Sequence, residues 1–292
     1  MVARALAPGL EADVTLIGAD EQVAAIAAPR KVGVGAWGGG GTAEAAGRLA
    51  GAAVEQAAAL AGTGAVDAIV TGPVHKHALY LAGYRYPGLT EFLAHLAGDV
   101  EVAMMLATGK LRVVLVTTHI ALKDVPAQLT TERIVRSGRI TERALATWWD
   151  IAPARLAVCA LNPHAGESGL FGEEDERIVR PAAQQLGAAG PLPADTVFVR
   201  ALRGEFDAVL APYHDVGMTA VKVAGFGHGV NVTLGLPFPR VGPDHGTALD
   251  IAGKGVADAG SMRAALQLAV ELARRVIGRR GAPPGVGRPA RA

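Results

Sequence analysis

The run LRVVLVTTH (111–119), then TERIVRSGRITERALATWW (131–149), then RLAVCALNPH (155–164), decides the fold. The first and third pieces are short, β-branched and almost continuously apolar, as strands buried on both faces must be. The piece between them carries Ile134, Val135, Ile140, Ala144, Leu145 and Trp148 near a 3.6-residue period, the mark of an amphipathic helix. Strand, crossover helix, strand is the unit of a parallel sheet. Outward from it the pattern repeats. VTLIGA (14–19), VDAIVTG (66–72), FDAVLAP (206–212) and VNVTLGL (230–236) read as further strands. Residues 42–61, 173–186 and 261–277 read as helices. The expectation is an α/β protein with largely parallel sheets flanked by helices.

At 292 residues the chain is long enough for one large domain or two ordinary ones. The helix at 131–149 and the break at Gly98 suggest two lobes: 1–98 with 226–292, and a central 99–225. GRRGAPPGVGRPARA (278–292) is too rich in Gly and Pro to bury much, so a disordered tail is expected from about residue 279. A net charge of +1 argues against nucleic acid or a charged membrane surface as the partner. Cys159 is the sole cysteine, which excludes an internal disulfide or a thiolate zinc cluster within one chain. Glu11 and Asp13 interrupt the apolar core a signal peptide needs, and no apolar run reaches the ~20 residues of a membrane span. A cytoplasmic protein is the default expectation.

Three of the eight histidines share one context. His119, His164 and His214 each follow a buried strand, at the edge where open α/β sheets place ligands. Any one alone is most simply a surface residue. Three in the same slot suit a divalent metal with an open position, whether zinc, cobalt, magnesium, nickel or manganese. A three-histidine hydrolase in which the metal activates water is one reading of that set. The glycine runs GVGAWGGGG (33–41) and GFGHG (225–229) do not fit GxGxxG between strand and helix. DHGTALDIAGKGVAD (244–258) is a better place for backbone to approach a planar ligand, with His245 and Asp258 able to read ring nitrogens, although an ordinary loop explains it equally.

The ordered segments TGPVHK (71–76), TEF (90–92), MMLATGKLRVVLVTTHIALKDV (104–125), LNPHAGESGLFGEEDERIVRPA (161–182), GPLPADTVF (190–198) and APYHDVGMTAVKVAGFGHGVNVTLGLPFPR (211–240) resemble the 4-hydroxythreonine-4-phosphate dehydrogenase family of pyridoxal phosphate biosynthesis. The resemblance extends to relatives acting on threonate or erythronate 4-phosphate, and runs from about Val66 to Ile277. It implies a homodimer with a two-lobed fold like isocitrate and isopropylmalate dehydrogenases, a metal site at His119, His164 and His214, and NAD or NADP at His245, Gly246 and Asp258. It places His119 and His164 on one subunit and His214 on the other. Thr90, Lys222, Asn231 and Arg240 are implied to hold a small phosphorylated hydroxy acid, with Lys222 and Asp215 also candidates for moving protons. The implied chemistry is hydride transfer to the nicotinamide followed by loss of carbon dioxide, with the cation as Lewis acid. The same chemistry on threonate or erythronate 4-phosphate is the alternative, and a non-catalytic scaffold is the limiting case.

Three departures from the family's pattern stand out. No GDPxGxGPE turn precedes Ala3: either the start is misassigned, or a core strand is absent and a sheet edge is left exposed. Leu89 replaces a histidine before Thr90, and Val216 replaces a glutamine after Asp215.

Overall fold

The computed structural model describes residues 1–6, 10–38, 41–225 and 227–280. Among the described residues there are ten strands and eleven α-helices. The strands are β1 (Thr15–Gly18), β2 (Arg30–Gly33), β3 (Ile69–Val70), β4 (Ala103–Thr108), β5 (Leu111–Leu115), β6 (Leu156–Cys159), β7 (Ala189–Leu192), β8 (Ala208–Ala211), β9 (Val230–Leu234) and β10 (Arg240–Pro243). The helices are α1 (Val2–Ala5), α2 (Asp20–Ala24), α3 (Ala43–Gly62), α4 (Lys76–Leu81), α5 (Leu89–Leu96) and α6 (Val125–Gln128), then α7 (Thr131–Trp148), α8 (Arg180–Leu186), α9 (Ala194–Leu202), α10 (His214–Gly225) and α11 (Gly260–Arg280). The expected tail lies outside the described residues beyond Arg280, up to which α11 continues. Gly39, Gly40 and Phe226 of the two glycine runs also lie outside them.

Eight strands form one sheet in the order β3-β10-β9-β4-β5-β8-β6-β7. The pairs β3/β10, β5/β8, β8/β6 and β6/β7 are parallel, whereas β10/β9, β9/β4 and β4/β5 are antiparallel. The antiparallel middle was not apparent from the sequence, because strands covered on both faces carry no alternation to betray their direction. The sheet is continuous across residue 98: β9 pairs with β4 from Ala103↔Leu234 to Ala107↔Val230.

Side chains leave the strands with period two and divide the core. Val114, Val158 and Leu210 join Ile134 and Leu145 of α7, Ala182 of α8 and Leu272 of α11 on one face. Val113, Ala157, Cys159 and Val209 meet Val197 and Phe198 of α9 and Val221 of α10 on the other. Buried in that second layer, the Cys159 thiol is pushed up to about 12, which makes it packing rather than a nucleophile or ligand. Helices α3 and α7 begin as their sequences direct, with the hydroxyls of Thr42 and Thr130 accepting from the amides of Ala45 and Arg133, each at 3.2 Å.

Strands β1 and β2 form a separate parallel pair. Between β1 and β3 lies a cavity of about 880 Å³, walled by Leu16 and Ile17, by Ile69 and Val70, and by Leu49 and Ala53 of α3 facing Leu266 and Ala269 of α11. Among the described residues β1 pairs only with β2 and β3 only with β10, so β1 and β3 face each other across this slot without pairing. Few buried contacts hold such a strand. Backbone amides of β1 are therefore expected to exchange with deuterium well before those of β4 and β5, as hydrogen exchange with mass spectrometry would show. Equal protection would contradict this division of stability.

Candidate active site

The metal candidates sit where the strands end. His119 follows β5 by four residues, and His214 opens α10 directly after β8. Gly217 lets α10 approach the sheet, since a Cβ there would stand 2.5 Å from Leu115 Cδ2. The result brings the two rings together, with centroids 5.7 Å apart and planes at 45°. Asp215 Oδ1 lies 2.7 Å from His214 Nδ1, which fixes the proton on Nδ1 and leaves the Nε2 lone pair for a ligand. Asp215, 79% exposed at its side chain, is thus placed to orient His214. The protein around His119 strips it of water and holds its pKa below the ordinary imidazole value; the charges of Lys76 and His214 act the same way, and Glu91 opposes them. A neutral, donor-ready imidazole follows.

His164 is not part of this pair. Its ring packs beside Phe171 instead, with centroids 6.3 Å apart. Among the described residues no group of three His, Cys, Asp or Glu side chains within the chain could hold a metal ion. Within one chain the structure brings the rings of His119 and His214 together, whereas the resemblance groups His119 with His164. The loop carrying His164 is unusual: residues 164–168 all have left-handed backbone, φ from 42° at Glu167 to 81° at Gly166. For the four that are not glycine this costs ~1 kcal/mol each, so something must hold the loop. Asp175, fully buried, does so, accepting from the amides of Leu161 at 2.7 Å and Asn162 at 2.9 Å. Asp175→Ala is expected to lower stability by roughly 3 kcal/mol by stranding these donors, measured by urea unfolding. An unchanged midpoint would refute that role.

The substrate candidates gather on one face of the sheet. In the β9/β10 register Arg240 lies opposite Thr233 and Gly242 opposite Asn231, so Asn231, Thr233 and Arg240 project together. Arg240 is only 5% exposed. Its Nη1 donates to Thr233 Oγ1 at 3.1 Å and its Nη2 to Thr71 Oγ1 at 2.6 Å. Thr90, buried on α5, reaches the same cluster with its Oγ1 3.5 Å from that of Thr233. Arg240 Nε and Asn231 Oδ1 are buried with no hydrogen-bond partner. Burial pushes the Arg240 guanidinium down to about 10, with only Glu91 pulling upward. It remains a cation at neutral pH, and none of the ion pairs among the described residues includes it. A cleft of about 290 Å³ opens next to Thr90, Glu91, Thr117 and Thr118.

Lys222 lies two turns along α10 from His214, ~12 Å further down the axis. Its Nζ is 2.6 Å from Asp244 Oδ2. The cofactor candidates follow β10. His245 donates from Nδ1 to the Gly246 carbonyl at 2.9 Å, and Asp258 Oδ1 accepts from the Gly260 amide at 2.8 Å, at the start of α11. This segment leaves Leu249 63% and Val256 65% exposed, apolar surface that a flat ring could cover. Leu89, by contrast, is buried among Val54, Phe92 and Leu93, so the departure at that position adds core packing and no polar contact. Val216 packs in the α9/α10 layer.

Sequence reasoning missed the partners. Thr71 and Thr233 for Arg240, Asp244 for Lys222 and Asp175 for the His164 loop meet their targets through tertiary structure. Only Asp244, adjacent to His245 in a segment already singled out, carried any local hint.

Residues 10–269 match the model of the pyridoxal phosphate biosynthetic protein PdxA. A 4-hydroxythreonine-4-phosphate dehydrogenase from Geobacter metallireducens is 52% identical over 237 residues, covering 80% of this chain and 69% of that protein. A D-threonate 4-phosphate dehydrogenase from Cupriavidus necator is 50% identical over 233 residues, 76% of this chain and 68% of that one. The crystal structure of 4-hydroxythreonine-4-phosphate dehydrogenase from Klebsiella pneumoniae superposes with a TM-score of 0.82 at 37% identity, over 93% of this chain and 94% of that one. The protein is accordingly an α/β oxidoreductase of the dehydrogenase class, acting on a CH–OH group. The chain belongs to the PdxA family. None of the helices among the described residues is long and apolar enough to cross a membrane.

Proposed function

We propose that the chain oxidises 4-phosphohydroxy-L-threonine with NAD or NADP and releases carbon dioxide, giving 3-amino-2-oxopropyl phosphate. The observation that carries this is Arg240, a buried cation without a carboxylate, beside the orphaned Asn231 Oδ1. A buried charge needs a partner, and a phosphate or carboxylate satisfies a guanidinium fork. Thr90 and Asn231 complete that end of the substrate, and Lys222 supplies a second, point-like positive charge.

The oriented imidazoles of His119 and His214 fit a divalent cation, with His164 of a second copy as third ligand. Such an ion supplies Lewis acidity to a hydroxyl being oxidised. The protein's own part is to hold the hydroxy acid by its anionic end, keep the two imidazoles aimed, and present the nicotinamide. His245, Gly246 and Asp258 are the residues for the cofactor, where exposed Leu249 and Val256 fit a planar ring. In this reading residues 1–98 and 226–292 make the cofactor-side lobe, 99–225 carry the metal and the dimer contact, and the homodimer works in the cytoplasm. Both named relatives are dehydrogenases, which leaves the hydrolase without support.

D-threonate 4-phosphate is the second candidate substrate, favoured by the 50% identical relative and by Leu89, which turns to the core and offers no polar contact. Following nicotinamide reduction by metal-loaded protein, with each phosphorylated acid in turn, decides between them. Turnover with either is the expected result. No reduction with any phosphorylated acid, despite bound metal and bound nicotinamide, would overturn the proposal.

A further inference from the structure

We infer that Asp244 is the positioning residue for Lys222 and ties that lysine to the cofactor segment. Lys222 Nζ donates to the Asp244 main-chain carbonyl at 2.9 Å and forms an ion pair with its Oδ2 at 2.6 Å. An ammonium has three hydrogens, so Asp244 holds the lysine by one hydrogen bond and by charge while donor capacity is left for a ligand. The Asp244 side chain is 4% exposed while that of Lys222 is 33% exposed, so the pair runs from the core towards the surface, with the lysine at the open end.

The carboxylate is itself fastened. Ser261, in the first turn of α11, accepts from the Asp244 amide at 3.2 Å. Its hydroxyl lies 2.6 Å from the Gly229 carbonyl and 3.1 Å from Asp244 Oδ1. Gly229 makes the room: a Cβ there would stand 2.3 Å from Asp244 Oδ2. Asp244 immediately precedes His245, and Ser261 follows Asp258 by three residues. The clamp therefore grips both ends of the candidate cofactor segment and the lysine together. A buried carboxylate with one cation sets where that cation can go, because leaving it unpaired is strongly unfavourable.

The inference rests on the substrate role proposed for Lys222, and its test separates the two. Binding of 4-phosphohydroxythreonine and of NAD by calorimetry would be compared for the unmodified protein, Asp244→Asn, Lys222→Met and the double variant. Asp244→Asn is expected to weaken the acid by about tenfold or more, the scale of one charge-assisted contact. NAD affinity should stay within about twofold, and the substitution should add nothing once Lys222 is methionine. Equal weakening of acid and NAD, or an undiminished effect in the Lys222→Met background, would overturn the inference. Reductive methylation of lysines, read by mass spectrometry, needs no substrate. Lys222 should label several-fold faster in Asp244→Asn, with Lys76 unchanged as the internal reference. No change at Lys222 would also overturn it. If the labelling contrast appears while the unmodified protein binds no phosphorylated acid, the clamp stands and the proposed function falls. Should Asp244→Asn fail to fold, Ser261→Ala must show the same contrasts at smaller amplitude, and their absence counts against the clamp.

Discussion

Arg240→Met should nearly eliminate binding of the phosphorylated acid while leaving the fold as stable as before. The guanidinium offers an anion two or more charge-assisted hydrogen bonds, each worth about 1.5–3 kcal/mol, so affinity should fall roughly 100-fold to 10,000-fold. Ordinarily the loss of a buried ionic residue would also unfold a domain. Here the cation has no carboxylate at ion-pair distance among the described residues; its hydrogen bonds go to the hydroxyls of Thr71 and Thr233, and Glu91 acts on it through charge alone. A buried charge replaced by an apolar side chain of similar volume is often neutral or stabilising. Calorimetry and thermal unfolding on one sample test both halves. A protein that loses its fold and not its affinity would mark Arg240 as structural. Arg240→Lys should recover only part of the binding, because a point charge cannot reproduce the fork.

Mixed dimers give the second large effect. On the proposed arrangement, His119 and His214 from one chain and His164 from the other, dimers of His164→Ala with His214→Ala carry one intact site and one doubly damaged site. Activity should return to about half of the normal value per mixed dimer, from nearly none in either parent. His119→Ala mixed with His214→Ala should stay dead, since both lesions fall on the same half of every site. The pair implied by the resemblance reverses this second outcome, as His119 and His214 would then complement. The 5.7 Å separation of the two rings within one chain is the reason to expect no recovery.

The strands that carry the histidines were legible because β5, β6 and β8 are apolar, β-branched runs ending in the same slot. β7 and β10 were not. They read AGPL and RVGP, and glycine and proline take strand form from the strands they pair with, not from their own preference. Helix α10 was hidden for a related reason: HDVGMTAVKVAG is full of glycine and β-branched residues, and packing against β5 makes it helical. The three histidines could be listed from sequence but not paired, because the left-handed turn at 164–168 redirects His164 in a way no spacing announces. Arg240 was visible as an anion group; its hold on Thr71, 169 residues away, was not.

Anomalous diffraction from crystals grown with zinc tests the central claim most directly. One strong peak is expected about 2.0–2.1 Å from Nε2 of His119 and His214 of one chain and of a His164 from a second copy. Peaks bound elsewhere, or a His119–His214 pair that holds no metal in an assembled dimer, would contradict it.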